Sequence, residues 1–163
     1  MSYFKISIGI FIALAASRFI PHPPNFTSLL ALSFYVPALL GFRFIPILII
    51  SYAITDLIIG YHFGTHWTWG SVFLIGLLAQ FLRTSLIKRI LGAISGAFIF
   101  FLVTNFGVWL GGMYGVDFNG LKTTYIMAIP FFAYSLISTF IFSAVIEAIY
   151  KLVLIKQPSL LKK

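Results

Sequence analysis

Cysteine is absent from the 163-residue chain, which excludes disulfide frameworks and cysteine-ligated metals. Acidic residues are nearly absent too: Asp and Glu together number 3, and all charged residues make up 9% of the chain. A soluble domain carries about a quarter charged residues, so this chain lacks the polar surface to coat a globule. No glycine-rich nucleotide loop, HExxH pair or nucleophile elbow occurs. Serines and histidines are present, but no spacing orders them as a catalytic set, and the expectation is a protein that is not an enzyme. What is there is apolar: 61% hydrophobic residues, 18% aromatics and a mean hydropathy of +1.07. The class expected is an all-α integral membrane protein forming a single transmembrane domain over residues 1–163. The net charge of +8 comes from cations scattered between apolar blocks, with a short basic tail. It reads as a topology signal rather than as a nucleic-acid footprint.

Six apolar blocks are expected to span, at about residues 4–20, 28–42, 44–60, 70–87, 90–110 and 123–150. A span needs roughly 20 residues. The second block is short and holds Pro37; the last is long, projects from the membrane, and has Pro130 as a kink site. Lys5 followed by an apolar run ending in Ala13-Leu14-Ala15 also has the outline of a cleavable leader, but the run suits a retained span. With the N-terminus inside, the cytoplasmic segments hold Lys5, Arg43, Arg83, Lys88, Arg89, Lys151, Lys156, Lys162 and Lys163, whereas the outer ones hold Arg18 and Lys122. The positive-inside rule then predicts cytoplasmic N- and C-termini and a six-helix bundle.

In that orientation the polar and aromatic residues collect in the outer segments. The stretch "ITDLIIGYHFGTHWTWG" places Asp56, His62, His66, Trp67 and Trp69 there; "RFIPHPPNFT" adds Arg18, His22 and Asn25; "TNFGVWLGGMYGVDFNG" adds Asn105, Trp109, Tyr114 and Asp117. A polar-aromatic lining at one end of a bundle is what a small-molecule site needs. Asp56 is the sharpest of these, because an unpaired charge in a span costs roughly 2.5 kcal/mol or more. It reads either as a ligand or proton contact or as a structural pair with Arg18 or a histidine, and the two are compatible. His62 and His66 have the i, i+4 spacing of a helical metal pair, but Gly60 and Gly64 favour a loop running to Trp69, and no third ligand has a fixed spacing. The tryptophans read as belt residues or as a cover over a ligand. Asn105 and Trp109 share a face of span five, with the amide serving either as interhelical glue or as a ligand contact.

On span one, Gly9, Ala13 and Ser17 stand four residues apart with Ala16 beside them, a small-residue ridge that suits close packing inside the bundle or against another membrane subunit. Gly92 and Gly96 form a second ridge, expected to be internal. Glu147 and Lys151 read as an ordinary i, i+4 ion pair.

This pattern resembles the S components of energy-coupling factor transporters, small membrane proteins that capture vitamin-like or related micronutrients. The segment "PALLGFRFIPILIISYAITDLIIG" is similar to their second-to-third-span region. The segments "SRFIPHPPNFTSLLALS", "ITDLIIGYH", "FLVTNFGVWL", "MYG" and "AIPFFAYSL" are similar, over nearly the whole chain, to a bacterial six-span family of this type, whose function is itself inferred from the S-component likeness. The resemblance implies a substrate near the outer face, under the first, third and fifth loops, in the bacterial inner membrane. By position it implies ligand contacts from Asn25, Asp56, His62, Trp67, Asn105, Trp109 and Tyr114. It also implies docking of span one on a transmembrane coupling subunit through an alanine-spaced motif; here Gly9 replaces the first alanine, Ala13 fits and Ser17 extends the ridge. The chain carries no ATPase motif, so separate ATP-hydrolysing subunits would drive uptake. No cofactor and no metal are expected. The alternative reading is a structural or accessory subunit of another membrane complex, its aromatics acting as anchors in the lipid interface. A cavity lined by Asn105, Trp109 and Asp56 would favour binding; a filled end would favour the structural role.

Overall fold

The computed structural model describes residues 3–156, so Lys162 and Lys163 of the basic tail lie outside the described residues. Six α-helices follow one another: α1 (Tyr3–Phe19), α2 (Leu29–Tyr35), α3 (Ile45–Ile59), α4 (Thr65–Leu78), α5 (Leu86–Leu110) and α6 (Phe118–Lys156). No strand occurs among the described residues. Three helical segments are long and apolar enough to cross a membrane: Phe42–Ile59, Leu86–Leu110 and Phe118–Val153. The second expected span is shorter, with apolar helix over Leu29–Leu40. Pro37 has no N–H to continue the α-helical ladder, and the chain widens there into a π-helical turn, Val36–Leu40. Gly41, at φ +102°, then reverses the chain in a conformation few side chains adopt.

The fourth helix starts earlier than the apolar block suggested. It opens at Thr65, so His66, Trp67 and Trp69 are helical and the connecting loop is confined to 60–64. The expectation of a loop reaching Trp69 is corrected. Hydrophobic periodicity could not show this, because aromatic and polar residues fill the first turn. At α6, Asp117 caps the helix by accepting from Gly120 N at 2.7 Å, which moves the start to Phe118. The helix then runs through Pro130 to Lys156, 39 residues or about 58 Å at 1.5 Å per residue. That is nearly twice a hydrocarbon thickness.

Helix α2 is the hub. It packs on α5, α6 and α4 and touches α1 and α3, while α1 lies on α3 and the remaining neighbours follow chain order, α3 on α4, α4 on α5 and α5 on α6. Leu30, Phe34 and Tyr35 of α2 join Ile75, Ala93 and Ala97 in one buried cluster, and Leu29 and Val36 join Leu14, Leu48 and Val72 in another. The interior is otherwise rich in small polar residues. Ser33, Thr55, Ser71, Thr124, Ser138 and Thr139 are all buried. Most of these hydroxyls donate to a carbonyl three or four residues earlier, as Ser33 does to Leu29 and Thr124 to Gly120. Large apolar side chains point outward instead, among them Leu57, Ile58, Phe98, Ile129 and Phe140. A soluble protein would not expose so continuous an apolar surface, whereas lipid is its natural solvent.

The chain alternates between two ends. At one end Tyr3 donates from its hydroxyl to Arg43 O and stacks on Phe44, and Arg89 meets Glu147. At the other, Arg18 meets Asp56. Glu147 is therefore not the partner of Lys151: Arg89 grips it through two bonds, Nε to Oε1 at 2.6 Å and Nη2 to Oε2 at 2.8 Å. The bidentate fork is the stronger pairing, and it ties α5 to α6.

The second glycine ridge is internal, as expected. A Cβ on Gly92 would sit 2.3 Å from the ring of fully buried Phe34, and one on Gly96 would press on Ile75. Gly9 has open space around it. Gly92→Ala should therefore lower stability by about 1–3 kcal/mol through overpacking, while Gly9→Ala should hold or raise the melting temperature. Thermal unfolding of the purified variants in detergent decides this, and equal melting of the two would mean that Phe34 yields freely.

Candidate functional site

The Asp56 end of the bundle holds a cleft with two adjoining lobes, of about 340 and 280 Å³. Arg18, Asn25, Tyr52, Ile59, Phe100 and Ser135 border both. Four structural pieces therefore build it: the end of α1, the loop that follows, the last turns of α3, and the facing stripes of α5 and α6. Leu29 and Leu30, the first residues of the hub helix, line the smaller lobe.

Its fixed point is a charged pair. Arg18 Nη2 donates to Asp56 Oδ1 at 2.6 Å, and Trp69 Nε1 donates to Asp56 Oδ2 at 2.7 Å. Both side chains of the pair are largely withdrawn from solvent, at 12% and 6% exposure. The guanidinium also lies 4.3 Å from the centre of the Tyr52 ring, within cation–π range. Three helices thus converge on one carboxylate: α1 brings the cation, α3 the acid and α4 the indole. Of the two sequence readings of Asp56, the structural pair with Arg18 is present, and it stands in the wall of the cleft.

The loop between α1 and α2 is held on both sides. Ser28 N donates to Ser17 Oγ at 3.1 Å, the two hydroxyls lie 2.7 Å apart, and Ser28 Oγ donates to Ala13 O at 3.3 Å. On its other side, Ser138 Oγ of α6, which donates to Ser135 O at 3.1 Å, also reaches Asn25 O at 3.4 Å. Asn25 adopts φ +62°, a left-handed conformation that asparagine tolerates better than most residues.

Asn25, Asp56, His62 and Asn105 come together in the larger lobe. Trp67, Trp109 and Tyr114 stand outside its lining. Trp67 packs between α4 and α5, its ring against Gly107 and Phe106. Trp109 donates from Nε1 to Asp117 O at 3.1 Å and stabilises the α5–α6 turn. Tyr114 is exposed on that turn. His62 does not share a helix face with His66. Its Nδ1 accepts from Gly64 N at 3.1 Å, while His66 sits in α4 against Phe63 and Trp67. Among the described residues no three of His, Asp and Glu converge as metal ligands would.

Several lining residues escaped sequence reasoning. Tyr52 shares the Asp56 face of α3 one turn earlier, so helical spacing was a usable signal for it; Thr104 had only its place next to Asn105. Thr68 and Ser135 carried none, because isolated hydroxyls occur throughout these helices. Asn105 donates from Nδ2 to Phe101 O at 2.7 Å, one turn back in its own helix. It is therefore not a bond between helices, and its Oδ1 accepts nothing among the described residues.

On the far side of α1, Gly9 and Ala13 are exposed, together with Ala16. Ser17 is turned off this ridge and bound to Ser28, so the outward ridge is Gly9, Ala13 and Ala16 rather than Gly9, Ala13 and Ser17.

The pair sets a stability prediction. Arg18→Gln leaves the Asp56 carboxylate buried without its cation and should cost about 3–5 kcal/mol; adding Asp56→Asn, which keeps an acceptor for Trp69, should recover most of that loss. Denaturant unfolding of both variants measures the difference, and a double variant weaker than the single would show the pair uncoupled.

One family model, described as a family of unknown function (DUF6580), matches residues 2–160. No curated protein and no solved structure matches the chain.

Proposed function

We propose for this chain, which belongs to the DUF6580 family, the role of a membrane-embedded subunit that binds a small solute for uptake, in the manner of the S components of energy-coupling factor transporters. The observation that carries the proposal is the cleft: an ion pair, an amide and aromatic walls drawn from four helices around about 340 Å³ of space. Such a volume falls at the small end of ligand sites, which run from about 300 to 1,000 Å³. A purely structural subunit would gain more by filling that space with side chains.

In this reading all six helices belong to one multi-pass bundle in the bacterial inner membrane. The end bearing Lys5, Arg43, Arg83, Lys88 and Arg89 faces the cytoplasm with both termini, and the cleft opens outward. The charge asymmetry supports that orientation. The exposed ridge of Gly9 and Ala13 suits close approach by a transmembrane coupling subunit, and separate ATPase subunits supply energy. The protein itself performs no chemistry and needs no cofactor.

Reporter fusions placed at His66 and at Lys88 should register opposite sides of the membrane. Both on one side would remove the topology and, with it, access to the cleft from outside. For the site itself, purified protein should retain a small molecule detectable by mass spectrometry. Asn105→Leu should weaken its binding by about 1–3 kcal/mol, because a polar group of the solute loses its partner. Unchanged retention by a variant of wild-type thermal stability would place the site elsewhere.

A further inference from the structure

We infer that the cleft takes an uncharged, flat molecule carrying a carbonyl-type acceptor beside an N–H donor, and that it discriminates against ions of either sign. The inference rests on the reading of the cleft as a solute site and deepens it.

Charge comes first. Among the described residues the full charges lining the two lobes are Arg18 and Asp56, and they neutralise each other at 2.6 Å. Both carboxylate oxygens are in use, one by Arg18 and one by Trp69. A cationic solute would have to compete with these donors for the carboxylate, and would weaken the pairing that compensates Arg18 in a weakly polarisable surrounding. An anionic solute would have to share Arg18 with Asp56 and bring the cleft to a net negative charge. Desolvation opposes both. A neutral solute meets neither obstacle.

Hydrogen-bonding capacity then selects among neutral molecules. A guanidinium has five N–H donors, and one Arg18 hydrogen bond is present among the described residues. Arg18 borders both lobes and has donors that Asp56 does not use. The other polar groups have the opposite character. Thr68, Thr104 and Ser135 have each committed their hydroxyl proton to a carbonyl of their own helix, namely Thr65, Phe100 and Phe131. What they offer the cleft is lone pairs, as does Asn105 Oδ1. A carboxylate has only acceptors to give and an amidinium only donors, whereas an amide or cyclic amide has both. The apolar walls include several rings, with Phe101 and Phe132 4.6 Å apart and Tyr52 held under the guanidinium. Flat ligands find contact area there at little entropic cost.

Matched planar probes test this: benzamide, benzoate and benzamidinium, and the corresponding naphthalene-2 series. Each set keeps the ring and the planar head and changes the charge. Titrations use the full chain in lipid nanodiscs, followed by calorimetry and by tryptophan fluorescence, since Trp69 abuts Asp56. The amide of at least one set should bind tenfold or more tighter than both of its ions. In the Arg18→Gln, Asp56→Asn double variant, which preserves neutrality and removes the guanidinium, amide affinity should fall about tenfold in protein that remains folded at the titration temperature. If the double variant does not fold, Arg18→Lys, which retains the charge with fewer donors, should also weaken the amide. An ion that binds as tightly as its amide, or tighter, overturns the inference and leaves the cleft standing as a solute site. Binding by none of the probes also overturns it. If the purified chain then retains no solute either, the reading of the cleft itself is lost.

Discussion

A carboxylate inside an apolar bundle has to be matched, and at Asp56 the match comes from two other helices. Arg18 reaches it from α1 and Trp69 from α4, each at 2.6–2.7 Å. Leaving either oxygen bare would cost more than most packing contacts return. The contact therefore fixes where α1 and α4 stand relative to α3. It also keeps the Arg18 guanidinium at the cleft wall, over Tyr52, rather than free to reach the membrane surface. The other acids are treated alike: Glu147 is gripped by Arg89, and Asp117 caps α6. With three acids in the chain, every one of them is tied to a structural bond.

Small residues govern the rest of the packing. Lipid gives no hydrophobic drive for one helix to seek another, so close approach and hydrogen bonds must supply it. Gly92 admits the ring of Phe34, Gly96 admits Ile75, and Gly107 admits Trp67. Most buried helical serines and threonines, such as Ser33, Thr55, Ser71 and Thr124, fold their protons back onto their own helices and so sit inside without partners across the bundle. Thr139 and Ser143 are exceptions, buried with no hydrogen bond among the described residues, as is the hydroxyl of Tyr35. The pattern is inverted with respect to a soluble fold, greasy outside and modestly polar within.

Short helices make the cleft. Helix α2 begins only at Leu29, after a loop pinned to α1 through Ser17–Ser28 and touching α6 through Asn25. Because the hub helix does not fill the Asp56 end, the walls of α3, α5 and α6 face one another there across open space. Proline and glycine set this shortness at the other end as well, where Pro37 widens the last turn and Gly41 ends it.

The sequence by itself determined the class and the placement of charge along the chain. Scarce charge and long apolar runs call for a membrane solvent, and the cations fall between the apolar runs or near their ends. It also singled out Asp56 and Asn105, because polar groups at such depth are costly enough to stand out. Tertiary structure alone decided what each tryptophan at the Asp56 end does. Trp67, Trp69 and Trp109 are equivalent in sequence, yet one fills the space beside Gly107, one holds Asp56 and one braces a turn. Likewise Glu147 chose Arg89, 58 residues away, over Lys151 on its own helix. Spacing along a helix reports only which residues share a face. Which partner meets that face depends on how closely the glycines let the helices approach, and that is a property of the assembled bundle.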